Sequence, residues 1–340
     1  MRAAALLLAG SLLAGAGAAR AQAVAVPFYS AQHWVEGLYR HGLAPDAAAF
    51  AARAAALPAA VGTRCDAAGA AAAPALDQAR AQWRDAMLAW EALAALPIGP
   101  LIERRALRTL DFTPARPALI ARAIEAQPAD AAAMERIGAP AKGLPALEWL
   151  LWTSPVAPGA PACRYALQVA EDLAREARAL VAAAAAEPPR DEAQLATATA
   201  EAVNQLVGAV ERLRWAQIEK PTRGGAEFPR TASGATAQSW QAQWQAIRAR
   251  LRMPASAPPT PGTGLLPVET WLRGRGLLAE ADVLAAAVDV ADASLRGLTP
   301  GAGARLSAAA QALAGVKQVL ENRVAPALQV RIGFSDADGD

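Results

Sequence analysis

The sequence predicts an all-α fold of two packed helical bundles, with long antiparallel helices separated by loop-rich stretches. Three observations lead there. Apolar residues recur at three- and four-residue steps over long windows. No run alternates β-branched and polar residues between turn signals, as a half-buried strand would. Proline and glycine breakers cluster between the periodic windows instead of interrupting them.

The elements follow in chain order. Residues 1–23 read as an export signal: Arg2 supplies the positive charge, residues 3–15 form an apolar run, and Ala21-Gln22-Ala23 fits the small-x-small cleavage rule. The mature chain is expected to start near Val24 and to reside in a periplasm. No cysteine follows the apolar run, so no lipid anchor is expected, and no later stretch is apolar enough for a bilayer span.

Trp83, Met87, Trp90 and Ala94 mark one buried helical stripe, and Ala166, Val169, Leu173, Ala177 and Leu180 a second. A third runs through Val203, Leu206, Val207, Val210 and Leu213, with Glu211, Arg212 and Arg214 on its wet side. The fourth is Val283, Leu284, Ala287, Val288 and Ala291. The fifth is Leu306, Ala309, Leu313, Val316, Leu320 and Val324.

Pro97-Ile98-Gly99-Pro100, Pro114, Pro117, Pro140 and the prolines from 155 to 161 cut residues 97–162 into short helices and loops. Two further loop-rich stretches lie at 220–234 and 253–264. These breaks divide the mature chain into an N-terminal bundle over 24–188 and a C-terminal bundle over 189–340.

Charge excludes some partners. The formal net charge is +2, and removal of Arg2 and Arg20 with the signal leaves none, so no basic field draws the chain to nucleic acid or an anionic membrane. Cys65 and Cys163 in an exported chain invite pairing, which would close a loop of about 100 residues and add about 4 to 5 kcal/mol; two free thiols are the alternative.

The densest signal is Gly143-Leu144-Pro145-Ala146-Leu147-Glu148-Trp149-Leu150-Leu151-Trp152. A histidine and a glutamate three residues apart share a helical face and can hold one metal ion between them. Here the first of those positions is Pro145, which has no lone pair to offer. Pro145 and Glu148 read equally as a well-made helix start, with proline in the first turn and a carboxylate near the positive end of the dipole.

The run resembles the Gly-x-His-x-x-Glu signature of imelysin-like proteins of bacterial envelopes, with Pro145 in the histidine position. Ile98-Gly99-Pro100-Leu101 and Phe112-Thr113-Pro114-Ala115-Arg116 are similar to that family's Gly-Pro turn and Phe-Trp-Pro-Asp-Arg element. Cys163-Arg164-Tyr165, Arg230 through Ser239-Trp240, and the tail Gly333–Asp340 resemble a periplasmic branch. The resemblance implies two helical bundles with the signature helix lining a groove between them. It also implies a role in iron uptake or, from the founding name, a metal-dependent peptidase.

A metallopeptidase needs a metal with an open position, a metal-bound water and a nearby base. The chain has no His-Glu-x-x-His, and its two histidines, His33 and His41, read as ordinary surface residues. Glu148 is the candidate ligand for iron or another divalent metal, with Asp111 a weaker one. The acidic tail, Asp336, Asp338 and Asp340, lacks the glutamate of a calcium loop. Gly143, Pro145, Trp90, Arg104, Arg116, Trp152, Arg230 and Trp240 are the candidate groove residues. Guanidinium and indole groups there would suit a small anionic ligand, although tryptophan as core and arginine as a helix cap explain the same residues. The expectation is a non-catalytic binding component of envelope metal acquisition, working with an envelope transport protein. Peptidase activity and a scaffold for another envelope protein are the alternatives.

Overall fold

The structure, a computed structural model, describes residues 26–333. Residues 1–25, which include the expected export signal, and the residues from Phe334 onward, including the acidic tail, lie outside the described residues. Among the described residues the chain is helical throughout and has no strand.

The first half contains α1 (Ala31–Leu38), α2 (Ala44–Ala54), α3 (Leu57–Asp66) and α4 (Ala72–Ala94). Five short helices follow: α5 (Pro100–Glu103), α6 (Ala106–Leu110), α7 (Pro117–Ala126), α8 (Ala131–Glu135) and α9 (Gly143–Glu148). The long α10 (Pro161–Ala184) closes the set. Proline sits in the first turn of α5, α7 and α10, where no amide partner is lost. α2, α3, α4 and α10 pack together as the first bundle, with α9 against α10 and α4.

The second half contains α11 (Glu192–Glu211), α12 (Lys220–Thr222), α13 (Thr236–Leu251), α14 (Val268–Gly274), α15 (Leu278–Leu295), α16 (Ala304–Val319) and α17 (Ala325–Ala327). Asp191 caps α11 by accepting from the Gln194 amide at 2.9 Å. α11 runs into a π-helical stretch, Arg212–Glu219, and this continuous rod packs with α13 and α16, while α15 lies on α13, α14 and α16.

The two bundles meet chiefly where α4 packs on α13. Chain order would place α1 with the first bundle, yet α1 packs on α11, and Trp34 stacks on Trp271 of α14 with ring centroids 4.6 Å apart. Gly37 permits this approach, because a Cβ there would come within 3.0 Å of the Gly264 carbonyl oxygen. His33 serves this helix: its amide donates to Ser30 Oγ, and its Nδ1 accepts from the Ser30 amide.

Two stripes differ from the periodicity argument. Val283 is exposed, and α15 buries Ala281, Leu284, Val288, Ala291 and Leu295 instead. Glu211, expected on the wet side, is buried, because α16 covers that face and supplies Lys317, while Arg214 binds the same carboxylate. Arg212 likewise turns inward and donates to the carbonyl oxygens of Ala94 and Ala95 at 3.1 and 3.3 Å. The remaining stripes are buried as the spacing predicts.

Cys65 and Cys163 are joined in a disulfide with Cα atoms 5.5 Å apart, tying α3 to the start of α10.

Candidate functional site

Gly143 sets the position of the signature helix. It has φ +78°, and a Cβ at this residue would lie 2.5 Å from the Leu110 carbonyl oxygen, so only glycine lets α9 start against the end of α6. Trp83 Nε1 donates to the Leu144 carbonyl at 3.0 Å and pins the first turn to α4. Pro145 is buried in that turn.

Glu148 ends α9 and faces inward. Its Oε1 accepts from the Ser233 amide at 3.0 Å and from Ser233 Oγ at 2.7 Å. Ser233 belongs to the turn between α12 and α13, which Arg84 of α4 also holds through the Ser233 carbonyl at 3.1 Å. The signature carboxylate is therefore a link between the two bundles.

Arg230, in the same turn, enters the space beside Glu148 with its side chain only 2% exposed. Its backbone is left-handed at φ 59°, which turns the side chain back toward α4. Nε donates to Glu91 Oε1 at 3.0 Å, and Nη2 reaches Asp111 Oδ1 and Oδ2 at 2.8 and 2.7 Å. Trp90 Nε1 donates to Asp111 Oδ2 at 2.9 Å, and Ser239 Oγ donates to Glu91 Oε1 at 2.8 Å. The guanidinium carbon lies 5.9 Å from the Trp83 ring.

The electrostatics follow from burial. Burial pushes the Glu91 carboxyl up, Arg230 pulls it back, and Asp111 adds to the rise. For Arg230, burial alone would favour the neutral form, but Asp111, Glu91 and Glu148 outweigh it and raise the pKa above that of a free arginine. Arg212 is lowered to about 10 by burial, against the pull of Glu91 and Asp111, and remains a cation at neutral pH.

This donor set does not fit a metal ion. Pro145 contributes no lone pair, the Arg230 guanidinium already bridges Glu91 and Asp111, and Glu148 is engaged by Ser233. Among the described residues no group of three or more His, Cys, Asp and Glu side chains is arranged to hold a metal. Arg230 Nη1 is buried without a partner among them. It is a donor, and so calls for a lone pair and not for a cation.

Glu148, Asp111, Trp90, Arg230, Gly143 and Pro145 are thus brought together. Trp240 is buried nearby, edge-on to Phe228 with centroids 5.5 Å apart, and Trp152 packs on Trp83 beneath the guanidinium groups of Arg80 and Arg84. Arg104 and Arg116 are not drawn in: Arg104 pairs with Glu176 at the surface, and Arg116 is exposed at the start of α7. Glu91 and Ser233 are not singled out by the sequence, and Ser239 enters there only as part of the Ser239-Trp240 resemblance. Glu91 left a signal, a carboxylate four residues after Met87 on an otherwise apolar helical face.

Residues 43–325 match the family model described as Imelysin. The chain belongs to the imelysin family. An imelysin-like protein from Psychrobacter arcticum 273-4 shares the imelysin fold with a TM-score of 0.71 at 18% identity, over 92% of this chain and 100% of that one. A protein from Parabacteroides distasonis ATCC 8503, assigned provisionally as an iron-regulated protein A precursor, gives a TM-score of 0.65 at 14% identity, over 85% and 93%. At such identities the likeness establishes the imelysin fold alone. No curated protein matches the chain.

Proposed function

We propose that this imelysin-family chain is an exported, non-catalytic binding component of envelope iron acquisition. One observation carries the non-catalytic part: the guanidinium of Arg230 fills the space between Glu91 and Asp111, beside the signature Glu148, that a metallopeptidase would give to its ion and activated water. Glu148 is held in the contact between the bundles by two hydrogen bonds from Ser233 to its Oε1. The centre clamps two bundles together and does not present an open coordination position. Support for iron comes from the role that the resemblance of the signature motifs implies and from the iron-regulated designation of one structural neighbour. Support for export comes from residues 1–23, and no described helix is long and apolar enough to cross a membrane.

Two measurements test the proposal together. Purified protein is incubated with unfolded casein with and without a chelator, and radiolabelled iron uptake is compared in cells with and without the gene. No proteolysis and a fall in uptake that the gene restores are expected. Chelator-sensitive cleavage would return the peptidase reading, and unchanged uptake would remove iron from the account.

A further inference from the structure

A second feature lies away from the carboxylate centre. A cleft of about 370 Å³ opens between the π-helical stretch with α12 on one side and α16 on the other. Arg214, Glu219, Thr222 and Arg223 face Leu306, Ser307, Ala310, Gln311 and Ala314 across it.

The π-turn explains why the charged groups converge. In an α-helix residues five apart point about 140° away from each other. The i→i+5 pairing of Arg212–Glu219 brings Arg214 and Glu219 onto one side, where they form an ion pair. Glu219 also pairs with Arg223 one turn on, so a single carboxylate holds two guanidinium groups at the cleft.

Donors remain after these pairings. Arg223 has five N–H donors, and Glu219 is its one side-chain partner among the described residues. Its side chain is 67% exposed and free to reach into the cleft. Ser307 Oγ and the Gln311 amide have no hydrogen-bond partner among the described residues and line the opposite wall. The lining carries two cations and one anion, and its floor is apolar at Leu306, Ala310 and Ala314.

We propose that this cleft binds a small polycarboxylate. Guanidinium, hydroxyl and amide donors would take the carboxylate oxygens, and the alanine-rich floor would take the carbon skeleton. A cation is disfavoured, because Glu219, the one carboxylate of the lining, spends both oxygens on arginine, and Glu211 behind the wall is taken by Arg214 and Lys317. The assignment is independent of the proposed role in iron acquisition.

Trp215, exposed and within 6 Å of both guanidinium groups, supplies a reporter. Citrate is titrated into the purified protein and followed by calorimetry and by tryptophan fluorescence, with inorganic phosphate in a parallel arm. Saturable citrate binding with a fluorescence change is expected, weakened about tenfold or more by Arg223→Gln and by Gln311→Glu. Both substitutions fall on exposed positions and leave the fold intact, which circular dichroism checks. Absence of binding at about 10 mM citrate, binding indifferent to both variants, or phosphate binding as tight as citrate would overturn the assignment.

Discussion

Replacing Arg230 with methionine removes the cation that bridges Glu91 and Asp111 and keeps most of the side-chain volume. The side chains of Arg230 and Glu91 are 2% and 5% exposed, so water cannot replace the lost guanidinium at Glu91. Asp111, at 18%, is partly reached by water and still accepts from Trp90. Breaking a buried pair by deleting one partner costs about 3 to 5 kcal/mol, and one deeply buried carboxylate sets the figure here at about 4 kcal/mol. For the about 310 described residues the unfolding entropy is about 0.65 kcal/mol/K, so the midpoint of thermal unfolding falls by about 6 °C. Urea unfolding followed by tryptophan fluorescence provides the assay. The triple variant Arg230→Met/Glu91→Gln/Asp111→Asn is expected to recover at least half of the loss, because the orphaned charges are gone. The pH dependence has a defined sign. Glu91 has a folded pKa above its unfolded one, so its stabilising contribution is full below the ordinary carboxylate value of about 4.3 and is lost as pH rises through the raised value. Without Arg230 that loss deepens, and the gap to the parent protein narrows on acidification. A loss below about 1 kcal/mol, or no recovery on neutralising the carboxylates, would refute the view of the centre as a buried electrostatic clamp.

Three further predictions follow from other parts of the molecule. Gly143→Ala forces a side chain into φ +78° and against the Leu110 carbonyl, and a loss of about 3 kcal/mol is expected in urea unfolding; a loss within error would mean that α9 can shift freely. Cys65→Ser/Cys163→Ser opens a loop with a sequence separation of 98 and is expected to cost about 4 to 5 kcal/mol, with reductant lowering the melting temperature of the parent protein only. All three tyrosines have raised pKa values through burial, Tyr39 to about 12 with Glu201 and Glu103 adding to the rise. Their neutral forms favour the fold below pH of about 10, and that contribution is lost as pH rises through the shifted values. Phenolate absorbance at 295 nm is accordingly expected to rise later than for free tyrosine and to complete its rise with unfolding, and a normal titration of all three near 10 would contradict the packing.

The sequence by itself determined the helical class, most of the buried stripes, the helix starts at proline, and the family, because these rest on local periodicity and on short motifs. It located Glu148, Asp111, Trp90 and Arg230 individually, since each stood in or beside a recognisable element. Only the tertiary structure decided what they do together. Arg230 and Asp111 are 119 residues apart, and their meeting depends on a left-handed turn and on the packing of α4 against α13, neither of which leaves a periodic trace. Glu211 shows the same limit, because its burial comes from α16 and Lys317 and not from its own helix. Spacing along one helix reports which residues share a face; what covers that face is set by the other helices, and the group that bridges Glu91 and Asp111 beside the signature Glu148 is an arginine from the second bundle.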